Sequence, residues 1–210
     1  MFNTSLNATF RPIDVRLGPD GALYVADWSN PIIQHGEVDF RDPRRDHTHG
    51  RIWRVTAKGR PLVPRPKLVG ATVPELLEHL KAPEQWTRHN AKRVLKELWQ
   101  RNEAPALRAD IDRSLRIWAD SLKRSPGAEH HFLELLWVYQ AVDTPMYGLL
   151  SRMLEMKDAR VRAGAVHAIA QWHHRFAQGS IKPVMLMRFP LEQLALAISD
   201  PHPRVRLEAV

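Results

Sequence analysis

The 210-residue chain contains no cysteine. That excludes a disulfide framework, a zinc ribbon, a thiol nucleophile and a Cys-x-x-Cys-His haem attachment within these residues. It says nothing of redox compartment, because a chain of this length can bury a core without covalent staples. No apolar run reaches the roughly 18 residues that a membrane-spanning helix needs. The opening Met1-Phe2-Asn3-Thr4-Ser5-Leu6-Asn7 has no basic n-region and no long apolar stretch, so it does not read as a signal peptide. His-Glu-x-x-His, Gly-x-Ser-x-Gly and the P-loop are also missing. What is present is a globular composition, 44% hydrophobic, with a formal net charge of +8. That is too apolar for a disordered chain.

The positive charge is concentrated. Residues 41–67 carry nine basic residues against Asp42 and Asp46, whereas residues 1–40 carry two basic and five acidic ones. A basic segment of this kind suits nucleic acid, an acidic partner or an anionic surface, and equally a solvated linker.

The hydrophobic period changes near residue 70. Before it, Ile13-Asp14-Val15-Arg16-Leu17 alternates as a strand, Gly18-Pro19-Asp20-Gly21 makes a turn, and Ala22 to Trp28 returns. In that turn proline presets φ, Asp bonds its own backbone and Gly accepts positive φ. A polar loop spans 29–49, and Arg51-Ile52-Trp53-Arg54-Val55-Thr56 alternates again. A fourth strand is expected around Leu62-Val63. Four short strands in this length are the size of one β-propeller blade, which cannot bury both faces alone.

From Thr72 the period is helical. Thr72-Val73-Pro74-Glu75 reads as a capping box. Prolines 83, 105, 145 and 190 are expected to start further helices, with Ser125-Pro126-Gly127 and Asp200-Pro201-His202-Pro203 as breaks and Gly179 to Phe189 as a connector. Eight helices make about four pairs. Val161-Arg162-x-x-Ala165 recurs 44 residues later as Val205-Arg206-x-x-Ala209, with Asp158 and Asp200 upstream. Thr87-Arg88-x-x-Ala91 and the degenerate His131-x-x-Glu134 occupy the matching places. The expected class is therefore α+β: one partial antiparallel blade with a basic linker over 1–67, then an α-solenoid of helix pairs over 72–210. The last helix, Leu207-Glu208-Ala209-Val210, breaks off in mid-repeat and the blade has no sibling, so an internal piece of a longer chain is expected.

The Asp-…-Val-Arg-x-x-Ala pattern resembles the HEAT family. The resemblance implies that Asp158, Arg162, Asp200 and Arg206 link neighbouring repeats in a ladder. Phe10 to Trp28 with His49-Gly50-Arg51-Ile52-Trp53-Arg54-Val55 resembles a blade of the quinoprotein glucose/sorbosone dehydrogenase type. The domain order resembles that of large exported bacterial membrane-bound dehydrogenases, which join such a propeller to HEAT-like repeats and a c-type cytochrome domain. That kinship implies a periplasmic or exported parent, propeller loops elsewhere in it holding a quinone with calcium, and haem c beyond the repeats. It implies no cofactor in this piece and no complete catalytic centre, so no catalytic residue is assigned. The partners implied are the rest of the same chain and a protein partner.

The loop candidates for facing a cofactor are Arg44, Arg45, Asp46, His47 and His49. His47-x-His49 with Asp46 or Asp42 has metal-ligand chemistry, but Arg44 or Arg45 paired with Asp42 or Asp46 explains the same residues, and no metal is assigned. The adjacent pairs His130-His131 and His173-His174 point to different helix faces, and His167 with His174 is a poor spacing. Trp28 and Trp53 are expected to pack in the blade, and Trp86, Trp99, Trp118, Trp137 and Trp172 between helices. Met146, Met153, Met156, Met185 and Met187 read as packing. The competing class is a basic helical-repeat protein binding nucleic acid, as HEAT-like DNA glycosylases do, with Arg88, Lys92, Arg93 and Lys96 on phosphates. The blade argues against it.

Overall fold

A computed structural model describes residues 9–30, 42–101, 105–122, 128–178 and 184–210. The side chains of 105–107, 176–178 and 184–187 fall outside that description. So do Asp39, Phe40 and Arg41 of the loop, the Ser125-Pro126-Gly127 break, and the packing of Met185 and Met187. The described protein is α+β, with two compact units, Met1–Pro66 and Lys67–Val210.

In the first unit the alternating segments form β1 (Pro12–Leu17), β2 (Leu23–Asp27) and β3 (Arg51–Val55), an antiparallel sheet in sequence order. The β1–β2 turn is built as its residues dictate. Gly18 N–H donates to the Ala22 carbonyl at 2.8 Å, the Asp20 carboxylate accepts from Ala22 N–H, and Gly21 has φ +78°. Register places Val15, Val25 and Trp53 in one row and Leu17, Leu23 and Val55 in the next, all on one face. That face is not covered: Val15, Leu17, Leu23 and Trp53 are all exposed. The strand expected at Leu62-Val63 is absent; Val63 N–H makes a single bond to the Asp20 carbonyl and no ladder follows. One bond without a partner strand in register does not extend a sheet.

The second unit contains α1 (Val73–His79), α2 (Gln85–Arg101), α3 (Pro105–Leu122), α4 (Glu129–Ala141), α5 (Tyr147–Leu154), α6 (Ala159–Gln178), α7 (Val184–Ala197) and α8 (Pro203–Glu208). The capping box forms: the Thr72 hydroxyl accepts from Glu75 N–H and Glu75 accepts from Thr72 N–H at 2.7 Å. α2 starts two residues after Pro83 and α5 two after Pro145. α7 corrects the reading more sharply. It begins at Val184, and Pro190 lies inside it rather than at its start. The lost N–H weakens one turn, but Phe189 and Leu194 pack on the core and tertiary burial outweighs the local penalty.

α4 is apolar nearly all round, with Phe132, Leu133, Leu135, Leu136, Val138 and Tyr139 buried, as a central helix must be. α2 packs on α4, α4 on α6, and α6 on α8; α1 meets α2 and α3, α3 meets α4, α5 meets α6, and α7 also lies against α6. Gly164 lets α4 and α6 approach closely, and a Cβ there would push the end of the Leu133 side chain aside. Trp118 and Trp172 are buried, whereas Trp86 and Trp99 pack at the edge of the core. Trp137 departs from the expectation and is 39% exposed.

Thr72→Ala is expected to cost about 1 kcal/mol, through the lost cap alone. Gly164→Val is expected to cost roughly 1–3 kcal/mol by overpacking against Leu133. Urea unfolding of the full chain checks both; a Gly164→Val protein as stable as the parent contradicts the close-approach account.

Candidate functional site

Three arginines share one geometry. Arg88 Nη1 donates to the carbonyls of Ala82 and Pro83, both at 2.7 Å. Arg162 Nη1 does the same to Met156 and Lys157, both at 2.9 Å. Arg206 Nη1 repeats it on Asp200 and Pro201, at 2.9 and 3.0 Å. Each guanidinium thus satisfies carbonyls of the turn leading into its own helix, six and five residues upstream.

In two of the three, the other edge of the fork reaches a carboxylate beyond its own helix. Arg162 holds Asp200 in a bidentate pair, Nε to Oδ2 and Nη2 to Oδ1, each 2.9 Å. Arg88 Nε donates to Glu134 Oε1 at 2.9 Å and Lys92 Nζ to Oε2, around a carboxylate only 1% exposed. His130 Nε2 stands 3.8 Å from the same group. Lys92 and Arg88 are therefore spent inside the fold, which removes half of the basic set expected to face phosphates. In the sequence pattern His131, near the start of α4, stands at the arginine's position. Burial, with the charges of His130 and Lys81, pushes its pKa down, and its buried Nδ1 has no hydrogen-bond partner among the described residues. Glu129, at the start of α4, accepts from Asp158 N–H at 2.7 Å.

This geometry revises the expected ladder. Arg162 on α6 pairs with Asp200 in the turn before α8, and Arg206 caps its own turn. Asp158 does not supply the equivalent carboxylate. Its side chain accepts from Arg160 N–H and pairs with the Arg160 guanidinium, at the start of α6. The arginine contacts superpose at a 44-residue offset, so the counterpart of Asp158 is His202, whose ring likewise accepts from Arg204 N–H. Asp200 matches Met156 instead. The sequence offered no sign of Glu134 as the acceptor for Arg88, since it stands where the other units have alanine.

In the sheet unit, the loop candidates face their own turn. Arg44 holds Asp42 in a bidentate pair, Nε at 3.0 Å and Nη2 at 2.7 Å, and with the Arg44 N–H brings the Asp42 pKa to about 2. Asp46 accepts from the N–H of Thr48 and of His49, and His49 Nδ1 lies 3.1 Å from it; the Thr48 N–H leads the effects that hold its pKa at about 2. Arg45 is buried and His47 exposed. The loop does not gather its donors: among the described residues no three His, Cys, Asp or Glu side chains are placed to hold a metal ion. The buried carboxylates are elsewhere. Asp27 accepts from Arg11 N–H at 2.7 Å, Ser29 N–H at 2.8 Å and Trp53 Nε1 at 2.7 Å, beside Arg51. Burial alone would raise its pKa; those donors outweigh it and hold it low. Asp20 binds the Arg54 fork and the Tyr24 hydroxyl, and Arg54 leads in bringing its pKa to about 2. Sequence alternation gave no hint of either, because both aspartates read as turn or strand-end residues.

Arg88→Met leaves buried Glu134 with Lys92 and the more distant His130, and is expected to cost about 3 kcal/mol. Arg160→Met, which loses an exposed pair, is expected to cost under ~1 kcal/mol. Asp200 ionises more easily folded than unfolded, chiefly through its bond from Arg162. Its contribution is complete above the ordinary carboxylate range, near pH ~4, and is lost as pH falls through the lowered folded value. Asp200→Asn is thus expected to lower stability at neutral pH and to flatten the acid loss below pH ~4. Urea titrations across that range check it, and parallel pH curves for the two proteins contradict it.

A family model described as a domain of unknown function (DUF7133) matches residues 1–59, which contain all three described strands and none of the helices. No curated protein and no solved structure matches the chain.

Proposed function

We propose that the chain is a non-catalytic scaffold and docking segment of a longer exported or periplasmic protein of the quinone-dependent sugar or alcohol dehydrogenase type. In this reading the sheet unit is a terminal propeller blade. The helices are a HEAT-like solenoid that holds a haem domain within electron-transfer reach.

The observation that carries the scaffold reading is the repeated arginine. Three guanidiniums cap their own turns in one way, and two reach across to a carboxylate of another unit. Repeats that bond only to their neighbours are what a stacked array requires. The open apolar face of the sheet supports the blade, since propeller sheets bury such faces against one another. The residues present do not fit the cofactors of the kinship. Covalent haem c needs cysteine, and the chain has none. The Asp42 and Asp46 carboxylates are turned onto Arg44 and onto their own backbone, away from any shared calcium position. Quinone, calcium and haem therefore belong to other parts of the proposed parent.

The alternative is a free-standing helical-repeat protein that binds protein or nucleic acid. Internal use of Arg88 and Lys92 favours protein over nucleic acid.

Sequencing the gene on both sides tests the proposal. Further blade-type strands upstream and a Cys-x-x-Cys-His downstream are expected. A stop codon directly after Val210 with no blades upstream overturns it.

A further inference from the structure

We infer that α7, α8 and the turn between them form a docking face for a further helix–turn–helix segment that carries an aspartate in its turn. The segment is assigned to the longer protein proposed above, and for that source the inference rests on the scaffold reading. One part of the chain makes a set of contacts that its repeat leaves unmade.

The α5–turn–α6 segment recurs as α7–turn–α8 at an offset of 44 residues, and the backbone bonds recur with it. Glu155 N–H donates to the Arg152 carbonyl at 3.2 Å, and Ser199 N–H to that of Leu196 at 3.1 Å. Met156 N–H donates to Met153 at 3.3 Å, and Asp200 N–H to Ala197 at 3.1 Å. Arg162 N–H donates to Asp158 at 3.2 Å, and Arg206 N–H to His202 at 3.3 Å. Residues 44 apart therefore leave equivalent points on equivalent backbone, and their side chains start in the same directions.

In the first segment four such side chains receive the second. The Tyr147 ring lies on Phe189, with 4.4 Å between centroids. Ala163 is buried in one cluster with Ala197 and Val205, and Leu154 packs against that cluster. Arg162 holds Asp200 through Nε and Nη2. The residues 44 further on are Leu191, Leu207, Ile198 and Arg206. The three apolar ones are uncovered, at 71%, 69% and 54% exposure. Arg206 spends Nη1 on its own turn as Arg162 does, but its Nε and Nη2 have no acceptor among the described residues. The anchored Nη1 aims the open edge of the guanidinium, so a carboxylate meets a preset fork at little cost in side-chain entropy.

The unmade contacts specify the occupant. Leu191, Ile198 and Leu207 match an apolar helix surface like the one that Phe189, Ala197 and Val205 bring to the first segment. The Arg206 fork matches a carboxylate placed as Asp200 is before Arg162. A second copy of this chain does not supply that carboxylate. Ala82, Ser125 and Met156 stand six residues before Arg88, His131 and Arg162, where an acid is needed, and Asp200 itself is taken by Arg162. A phosphate would fill the fork but leave the three apolar side chains in water, so nucleic acid uses only part of the face.

Appending a second copy of residues 167–210 directly after Val210 tests the inference, because it sets a copy of the α7–turn–α8 sequence, with its aspartate, in register with Arg206. The extended chain is expected to unfold in urea at a higher midpoint than the 210-residue chain. Leu207→Glu is expected to lower the midpoint of the extended chain and to leave that of the 210-residue chain unchanged. Asp200→Asn made in the appended copy alone is expected to lower it too, and to have no further effect once Arg206→Met is present. An extended chain no more stable than the original overturns the inference. So does a Leu207→Glu effect of equal size in both proteins, or full additivity of the aspartate and arginine substitutions. Dimerisation of the 210-residue chain in light scattering, abolished by Leu207→Glu, assigns the face to a second copy and also overturns it. None of these readouts depends on the flanking gene, so the dehydrogenase reading and this docking face can fail separately.

Discussion

The helical unit depends on a guanidinium that acts on both sides of its plane edge. One nitrogen closes the turn before the helix and the rest reaches a carboxylate beyond it, as Arg162 does with Met156, Lys157 and Asp200. The two duties are coupled. Fixing Nη1 on two carbonyls aims Nε, so the cross-unit pair loses little side-chain entropy when it forms. Only arginine has donors enough in a rigid plane for both. At His131 burial pushes the imidazole pKa down, and the neighbouring Glu129 accepts from Asp158 N–H.

The same logic accounts for Glu134. A carboxylate in the middle of an apolar helix is costly unless its lone pairs are filled. Arg88 and Lys92 fill them from α2, and Lys92 then lies over Trp137. One buried acid thus joins the packing of α2 on α4 to the placing of the exposed indole. In the sheet unit Asp20 and Asp27 play comparable parts, collecting donors from separate strands while the apolar face stays open.

Much of the local structure was readable along the chain. The Thr72–Glu75 capping box, the Gly18-Pro19-Asp20-Gly21 turn and the change from a period of two to one near four depend on neighbours a few residues apart, and each formed. Errors arose where a local signal competed with distant contacts. Pro190 lies within α7 because Phe189 and Leu194 are anchored on the core. Leu62-Val63 has strand-like residues but no partner ladder. Asp158 and Asp200 look equivalent in the chain, yet one caps its own helix and the other receives an arginine from afar.

Order, type and approximate length of the elements follow from residue periodicity and capping chemistry, which act over one or two turns. The partner of Arg88, the burial of the His131 ring nitrogen, the exposure of Trp137 and the self-contained bonding of the 42–49 loop do not. Those depend on which faces meet when helices stack and strands pair, and on how much water is excluded there. Burial and charge pairing act through space, so residues some forty positions apart, such as Arg88 and Glu134, acquire their roles only once the chain has closed around them.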